Sequence, residues 1–269
     1  MNLQEKNRRL GEILREMGKV LVAFSGGIDS TFVLARAKQE LGDKVLAVTA
    51  ASETFPEREL KEAVELARRL GVRHEVIRIE ELSRPEFVAN HPDRCYHCNA
   101  GLYLQLVQMA KERGISWVLD GANMDDLGDF RPGRRAAEEF GIRSVLQEAG
   151  LYKKELRQLA REMGLPNWDK PAFACLSSRI PYGSPITLEK VKQLDKGEEA
   201  LHRLGFRQVR IRHHGAIARI EVPREEFARV LERADHITET LKRLGFTYVT
   251  LDLQGYRSGS MNETLRGAL

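Results

Sequence analysis

The feature that most limits how this chain can fold is the regular exchange of short apolar runs with longer amphipathic stretches across its first half. Residues 20–24, 44–50 and 73–79 read as strands, 31–41 and 56–70 as the helices between them, and Gly42 and Gly71 stand where helices stop. After a loop around "NHPDRCYHCN" come a helix over 102–113, a strand "ISWVLDG" and a helix over 153–163 closed by Gly164. Strands separated by helices pair in parallel. The expected fold class is therefore α/β, a doubly wound parallel sheet with helices on both faces, and ligands of such sheets bind beyond the carboxyl ends of the strands. A Pro- and Gly-rich segment, "LPNWDKPAFACLSSRIPYGSPIT", ends this pattern. Thr187 then caps a helix, the strands "RQVRIRHH" and "AIARIEV" turn about Gly215, and a helix over 224–244 precedes "FTYVTLDL". That order predicts a second, smaller α+β domain, with the division placed at 1–180 and 181–269.

Composition narrows the setting. A chain of 269 residues, 42% hydrophobic and 30% charged with both signs interspersed, belongs with globular proteins and is long enough for one large or two smaller domains. No apolar run is long enough to span a bilayer, and the charged N-terminal stretch "MNLQEKNRRLGEILREMG" lacks the apolar core of a signal peptide, so a cytoplasmic protein with no membrane partner is expected. The net charge of +4 comes without a dense Lys/Arg block, and nucleic acid is not the expected partner. Three cysteines, an odd count, argue against a disulfide framework and for chemistry or metal binding.

The stretch "VLVAFSGGIDS" runs from an expected strand into an expected helix. Ser25, Gly26, Gly27, Asp29 and Ser30 thereby form a turn of closely spaced N–H groups at a helix N-terminus, which is an anion cradle suited to phosphate. The lysine of a G-x-x-x-x-G-K-[ST] loop is absent. S-G-G-x-D-S resembles instead the loop of the PP-loop ATP pyrophosphatases, which implies cleavage of ATP between its α and β phosphates as a substrate is adenylated. "DGANMDD", from Asp120 to Asp126, follows a strand on the same expected edge. Its Gly121, Asn123 and Asp126 are candidates to line the nucleotide and its carboxylates to hold Mg²⁺ between phosphates, although a plain polar turn reads the same way. Ser52, just past the second strand, is a candidate for adenine or ribose, and Arg58 for the phosphates.

Adenylation only activates, and a nucleophile must follow. Cys175 stands in "DKPAFACLSSRIPYG" beside Lys170 and Arg179, cations that favour a thiolate, in a Pro-rich hinge that suits a reactive group better than a core residue. "DGANMDDLGDFRPGRRA", "EAGLYKKELRQLAREMGLPNWDKPAFACLSSRIPYG" and "TLDLQGYRSGSMNE", together with the PP-loop, resemble the LarE family of ATP-dependent sulfur transferases over nearly the whole chain. The resemblance implies that a carboxylate of pyridinium-3,5-biscarboxylic acid mononucleotide is adenylated, that sulfur then displaces AMP to give a thiocarboxylate, and that a homo-oligomer does the work. Where the residue matching Cys175 works alone, it gives up its own sulfur and becomes dehydroalanine. This chain departs from that pattern at "RCYHC". Cys95, Cys98 and Cys175 together imply a three-cysteine subgroup in which a [4Fe–4S] cluster, bound through three irons, carries an extra sulfide. A Zn²⁺ site with His97, or a redox dithiol that protects Cys175, remains beside that reading.

In the second domain, Arg210 and Arg212 alternate on one strand and point to one face, where they can clamp a phosphate or carboxylate. Glu221, and Glu199 or its neighbour Glu198, match acidic positions of the family's site. Arg257, Ser258 and Ser260 beside two glycines in "GYRSGSMNE" form a second candidate anion site. Ordinary salt bridging is the plain alternative for the charged residues. Arg131 and Arg134 fit either the acidic loop or an oligomer contact. The rival functions are a tRNA thiolase, for which no RNA-binding module is evident, an amidotransferase-type ligase, which leaves Cys175 idle, and a non-catalytic nucleotide-binding module.

Overall fold

The computed structural model describes residues 1–128 and 132–266, which pack as two compact units. The first comprises Met1–Ser52, Glu57–Glu80 and Asp93–Ala172. The second comprises the chain from Phe173 onward together with two short excursions of the first half, Glu53–Pro56 and Glu81–Pro92. The seam thus falls at Phe173, and two loops that leave the first unit's strands belong by packing to the second.

In the first unit, β1 (Val20–Ala23), β2 (Val45–Ser52), β3 (Arg73–Ile79) and β4 (Trp117–Leu119) pair in parallel in the order β3-β2-β1-β4. Alternation along the strands sorts their side chains onto two faces. Val20, Val22, Val45 and Ala47 enter one core with α1 (Leu3–Met17), α2 (Ile28–Leu41) and α3 (Glu57–Arg69), while Leu21, Leu46, Val48 and Val118 enter another with the helices Arg94–Glu112 and Gly133–Glu139. Burial on both faces is why these strands are nearly all apolar. The edge strand β3, with Arg73, Glu75 and Arg78, is not. Helix α1 begins with a capping box between Asn2 and Glu5.

The connection from β1 leads to one side and β4 lies on the other, so the strand order reverses between their carboxyl ends, the position at which doubly wound sheets take ligands. The helix expected over 102–113 spans Arg94–Glu112 instead. Its first turns carry Cys95, His97, Cys98 and Asn99 and few apolar residues, so hydrophobic periodicity does not reveal them.

In the second unit, β5 (Arg210–His214) and β6 (Ile217–Glu221) form an antiparallel hairpin, and β7 (Tyr248–Leu251) pairs in parallel with β6. Gly215 turns the hairpin at φ +63°. The helix Leu188–Arg203, capped by the Thr187 hydroxyl, lies close on this sheet; a Cβ at Gly197 would stand 2.8 Å from Ile211 Cδ1. The helix expected over 224–244 is interrupted, as Phe227–Glu232 and Ala234–Arg243. No helix among the described residues is long and apolar enough to cross a membrane.

Candidate active site

Residues 24–27 carry the chain from β1 into α2. Gly26 has φ +71°, and a Cβ there would lie 3.0 Å from Ala63 Cβ, so the turn requires glycine on both counts. Gly27 is the N-cap of α2 and has no side chain over the helix terminus. Ser30 Oγ accepts from the Ser25 N–H at 3.2 Å and donates to the Gly27 carbonyl at 3.2 Å, and the two serine hydroxyls lie 3.2 Å apart. The loop therefore offers backbone N–H groups, a helix N-terminus and two hydroxyls to an anion.

The segment after β4 packs directly onto this loop. A Cβ on Gly121 would stand 2.9 Å from the Ser30 nitrogen. Asn123 donates to Asp29 Oδ1 at 3.3 Å, and Asp126, buried, accepts from the Asn123 N–H at 2.9 Å. The other Asp29 oxygen takes the ammonium of Lys153, from the start of the helix Lys153–Glu162. Lys153 escapes sequence reasoning because 124 residues separate it from Asp29 and no local pattern joins them. Asn167 and Lys170 support the loop from behind. Asn167 donates to the Gly26 carbonyl at 3.1 Å and to Thr31 Oγ1 at 2.9 Å, and Lys170 pairs with Glu59 and Glu62, each at 2.7 Å. Burial works to raise the Glu62 carboxyl, but Lys170 and Arg58 outweigh it and hold it below the ordinary range. Arg58 is engaged with Glu62 at 2.8 Å at the near end of α3, and Ser52 is the half-buried last residue of β2.

In the second unit, Cys175 is half-buried and its Sγ lies 2.9 Å from the Ser177 hydroxyl. Its carbonyl accepts from Arg179 Nη1 at 2.8 Å and from the Ser178 hydroxyl at 2.8 Å. Arg179, only 1% exposed, makes a two-pronged pair with Glu198 at 3.0 and 2.8 Å. Burial pushes the Glu198 carboxyl upward, and Arg179 with Arg210 overrides it, so the group is held below its ordinary value. Glu199, the residue singled out from sequence, is not the one that faces Arg179. It pairs with Arg203 one helical turn on, toward solvent, because consecutive helix positions point about 100° apart.

Glu221 is fully buried and accepts from Arg212 at 2.7 Å, Arg219 at 3.1 Å and the Ser260 hydroxyl at 3.0 Å. Arg212 also donates to the Ser178 carbonyl at 3.1 Å, which ties this pair to the Cys175 loop. Arg210 is buried with its guanidinium 5.6 Å from the Tyr256 ring centre; burial, with Arg179 nearby, lowers its pKa. The structure thus gathers Cys175, Arg179, Arg210, Arg212 and Glu221 around one loop. Arg257 turns to Glu263 at 3.1 Å and Ser258 is exposed, while Ser260 is the member of that stretch buried in the cluster. Arg134 pairs with Glu138 at 3.7 Å, and Arg131 lies outside the described residues.

The asparagine synthase family profile matches residues 12–127, the part that carries the nucleotide loop. Over its full length the chain is similar to the pyridinium-3,5-bisthiocarboxylic acid mononucleotide synthase of Lactiplantibacillus plantarum, 44% identical over 267 residues, 99% of this chain and 97% of that one. The chain belongs to the LarE family. An uncharacterized protein of Synechocystis sp. is 42% identical over 98% of this chain and 99% of its own length. An NH₃-dependent NAD⁺ synthetase of Hyperthermus butylicus is 31% identical over 60% of this chain and 59% of its own length. The two full-length likenesses take in the Cys175 loop and the second unit, and the likeness to the synthase, with the family profile, places the chain in an ATP-dependent sulfurtransferase family of the PP-loop class.

The family context raises two inorganic groups. Cys95, Cys98 and Cys175 form no disulfide, and three thiols are a donor set chemically suited to a cluster held through three irons. Cys95 and Cys98 stand one turn apart on the helix Arg94–Glu112, on one side of it. Among the described residues no group of three or more His, Cys, Asp or Glu side chains is arranged to hold a metal ion. His97 lies 3.3 Å from Asp93 through its Nε2. Mg²⁺ needs only one or two carboxylates beside nucleotide phosphates, and Asp29 of the loop and Asp120, Asp125 and Asp126 of the segment after β4 are the acidic groups there.

Proposed function

We propose that this protein adenylates a carboxylate of pyridinium-3,5-biscarboxylic acid mononucleotide and converts it to a thiocarboxylate. The observation that carries this reading is the full-length likeness to the Lactiplantibacillus plantarum synthase, with the S-G-G-x-D-S loop and Cys175 both in place. A substrate carboxylate oxygen attacks the α phosphorus of ATP, the bond to the bridging oxygen breaks, and pyrophosphate leaves. Ser25, Gly26, Gly27, Asp29 and Ser30 hold the leaving phosphates, with Gly121, Asn123 and Asp126 beside them, Mg²⁺ accompanying the nucleotide, Ser52 at adenine or ribose and Arg58 at the phosphates. Arg210 and Arg212 bind the substrate's anionic groups, and Arg257 and Ser258 form an outer anion contact. A homo-oligomer is part of this reading.

A sulfur nucleophile then attacks the acyl carbon and AMP departs. Cys95, Cys98 and Cys175 would hold a [4Fe–4S] cluster, which when bound supplies sulfide as that nucleophile. A second reading uses Cys175 alone, a half-buried thiol 2.9 Å from the Ser177 hydroxyl in a loop that also carries Arg179. Here the Cys175 thiolate attacks to give a thioester, its Cα proton is removed and its Cβ–S bond breaks. The products are thiocarboxylate and dehydroalanine at position 175. In both readings Arg179 fixes the backbone of Cys175, and Glu198 and Glu221 hold the arginines. Iron and acid-labile sulfide on protein prepared without oxygen separate the two. About four of each per chain, lost in Cys175→Ala, support the cluster; no iron after competent reconstitution, with loss of sulfur mass from Cys175 on turnover, supports sacrifice.

A further inference from the structure

Among the described residues, Asn90 is the one non-glycine with a left-handed backbone, at φ +56°, and it is fully buried. Its side-chain amide nitrogen reaches three backbone carbonyls, those of Pro181 at 2.8 Å, Ser184 at 2.9 Å and Ile180 at 3.2 Å. Its own carbonyl accepts from the Gly183 N–H at 3.1 Å, and that of Val88 accepts from Ile186 at 3.0 Å. The turn over residues 180–184 is therefore closed onto residues 88–90 of the same unit.

That turn is the exit of the loop that begins at Cys175. Within the loop, the Cys175 carbonyl takes the Ser178 N–H at 3.1 Å and the Arg179 guanidinium at 2.8 Å, and Ile180 N–H meets the Ser177 carbonyl at 3.2 Å. At the entry, Leu176 N–H donates to the Thr54 carbonyl at 2.9 Å, and the Thr54 hydroxyl donates to buried Glu81 at 2.5 Å. The reactive loop is thus gripped at both ends by the two excursions of the first half. Asn90 is the grip at the exit.

Few side chains can do this. A left-handed backbone at a buried site admits Gly readily and Asn or Asp at modest cost, and strained backbone persists only where the surroundings fix it. Glycine supplies the backbone and no donor. Aspartate, accepting only, would set a carboxylate against carbonyl oxygens. Asparagine meets both demands.

We infer that Asn90 is a positioning residue for sulfur transfer: it fixes the loop that carries the Cys175 thiol and Arg179, without touching the nucleotide or the acyl group. The inference rests on the proposed function for its assignment to that half-reaction. Three readouts test it in Asn90→Gly, which keeps the backbone and removes the amide. Substrate-dependent ATP–pyrophosphate exchange reads adenylation, single-turnover thiocarboxylate formation reads sulfur transfer, and iodoacetamide labelling of the Cys175 peptide reads the thiol itself. Exchange is expected to stay within about twofold of wild type, thiocarboxylate formation to fall about tenfold or more, and the labelling rate to change about threefold or more. Parallel loss of both half-reactions, or an unchanged labelling rate, overturns the inference. If Asn90→Gly does not fold, Asn90→Asp, equal in size and reversed in polarity, must show the same split. Absence of exchange in wild type would defeat the functional reading instead, and labelling would then decide Asn90 alone.

Discussion

The two regions proposed to carry the chemistry hold their shape by opposite means. The nucleotide loop uses backbone and small hydroxyls from one short segment, with Ser25, Gly27 and Ser30 bonded among themselves and glycine where α3 comes close. The Cys175 region uses buried ion pairs between side chains of separate elements, Arg179 with Glu198 and Arg212 with Glu221, and one asparagine amide. A phosphate cradle needs donors at fixed spacing, which a local turn at a helix start provides. The proposed substrate, an anionic pyridinium nucleotide held beside a thiol, calls for charge without water, and buried charge is tolerated only in well-bonded pairs.

The sharpest way to separate the two regions is to remove the thiol. Cys175→Ala should abolish thiocarboxylate formation while substrate-dependent ATP–pyrophosphate exchange continues; loss of exchange would mean the regions do not divide the reaction as described. Next in size, Arg179→Met leaves Glu198 buried and unpaired and should destabilise the protein by about 3–5 kcal/mol in urea unfolding, with Glu198→Ala similar. Gly121→Ala should act on the other region. A Cβ only 2.9 Å from the Ser30 nitrogen forces the segment after β4 off the loop, and exchange should slow about 10–100-fold with sulfur transfer from preformed acyl adenylate unaffected.

Smaller effects follow from titration. Burial lowers His213 and His214 from 6.5, so the unfolded chain takes up protons first as pH drops below 6.5, and stability declines from there. Glu198, held below 4.5, contributes stability that is complete above 4.5 and is lost as pH falls through its lowered value. The thermal midpoint should decline with pH below 6.5, less steeply in His213→Gln. Glu199→Ala should change stability by less than about 1 kcal/mol and leave both half-reactions intact, since its pair with Arg203 is exposed.

How much of this is legible in the sequence follows from the same contrast. The sheet reads well because strands buried on both faces are continuous apolar runs, and the nucleotide loop reads well because its spacing is local. The first turns of the helix Arg94–Glu112 do not, since Cys95, His97 and Cys98 interrupt any apolar period. Nor does the choice between Glu198 and Glu199, which depends on the rotation of a helix against β5, or Lys153, whose partner Asp29 is set by topology. Asn90 gives no sequence signal at all, because a buried asparagine in the left-handed region looks like any loop residue.

The measurement that tests the central claim most directly is anaerobic incubation of the protein with ATP, Mg²⁺ and pyridinium-3,5-biscarboxylic acid mononucleotide, followed by mass spectrometry of the nucleotide and quantification of pyrophosphate and AMP. The account predicts pyrophosphate and AMP in equal amounts, and a product in which one carboxylate oxygen has become sulfur. Pyrophosphate release without sulfur in the product, or no pyrophosphate release at all, would contradict it.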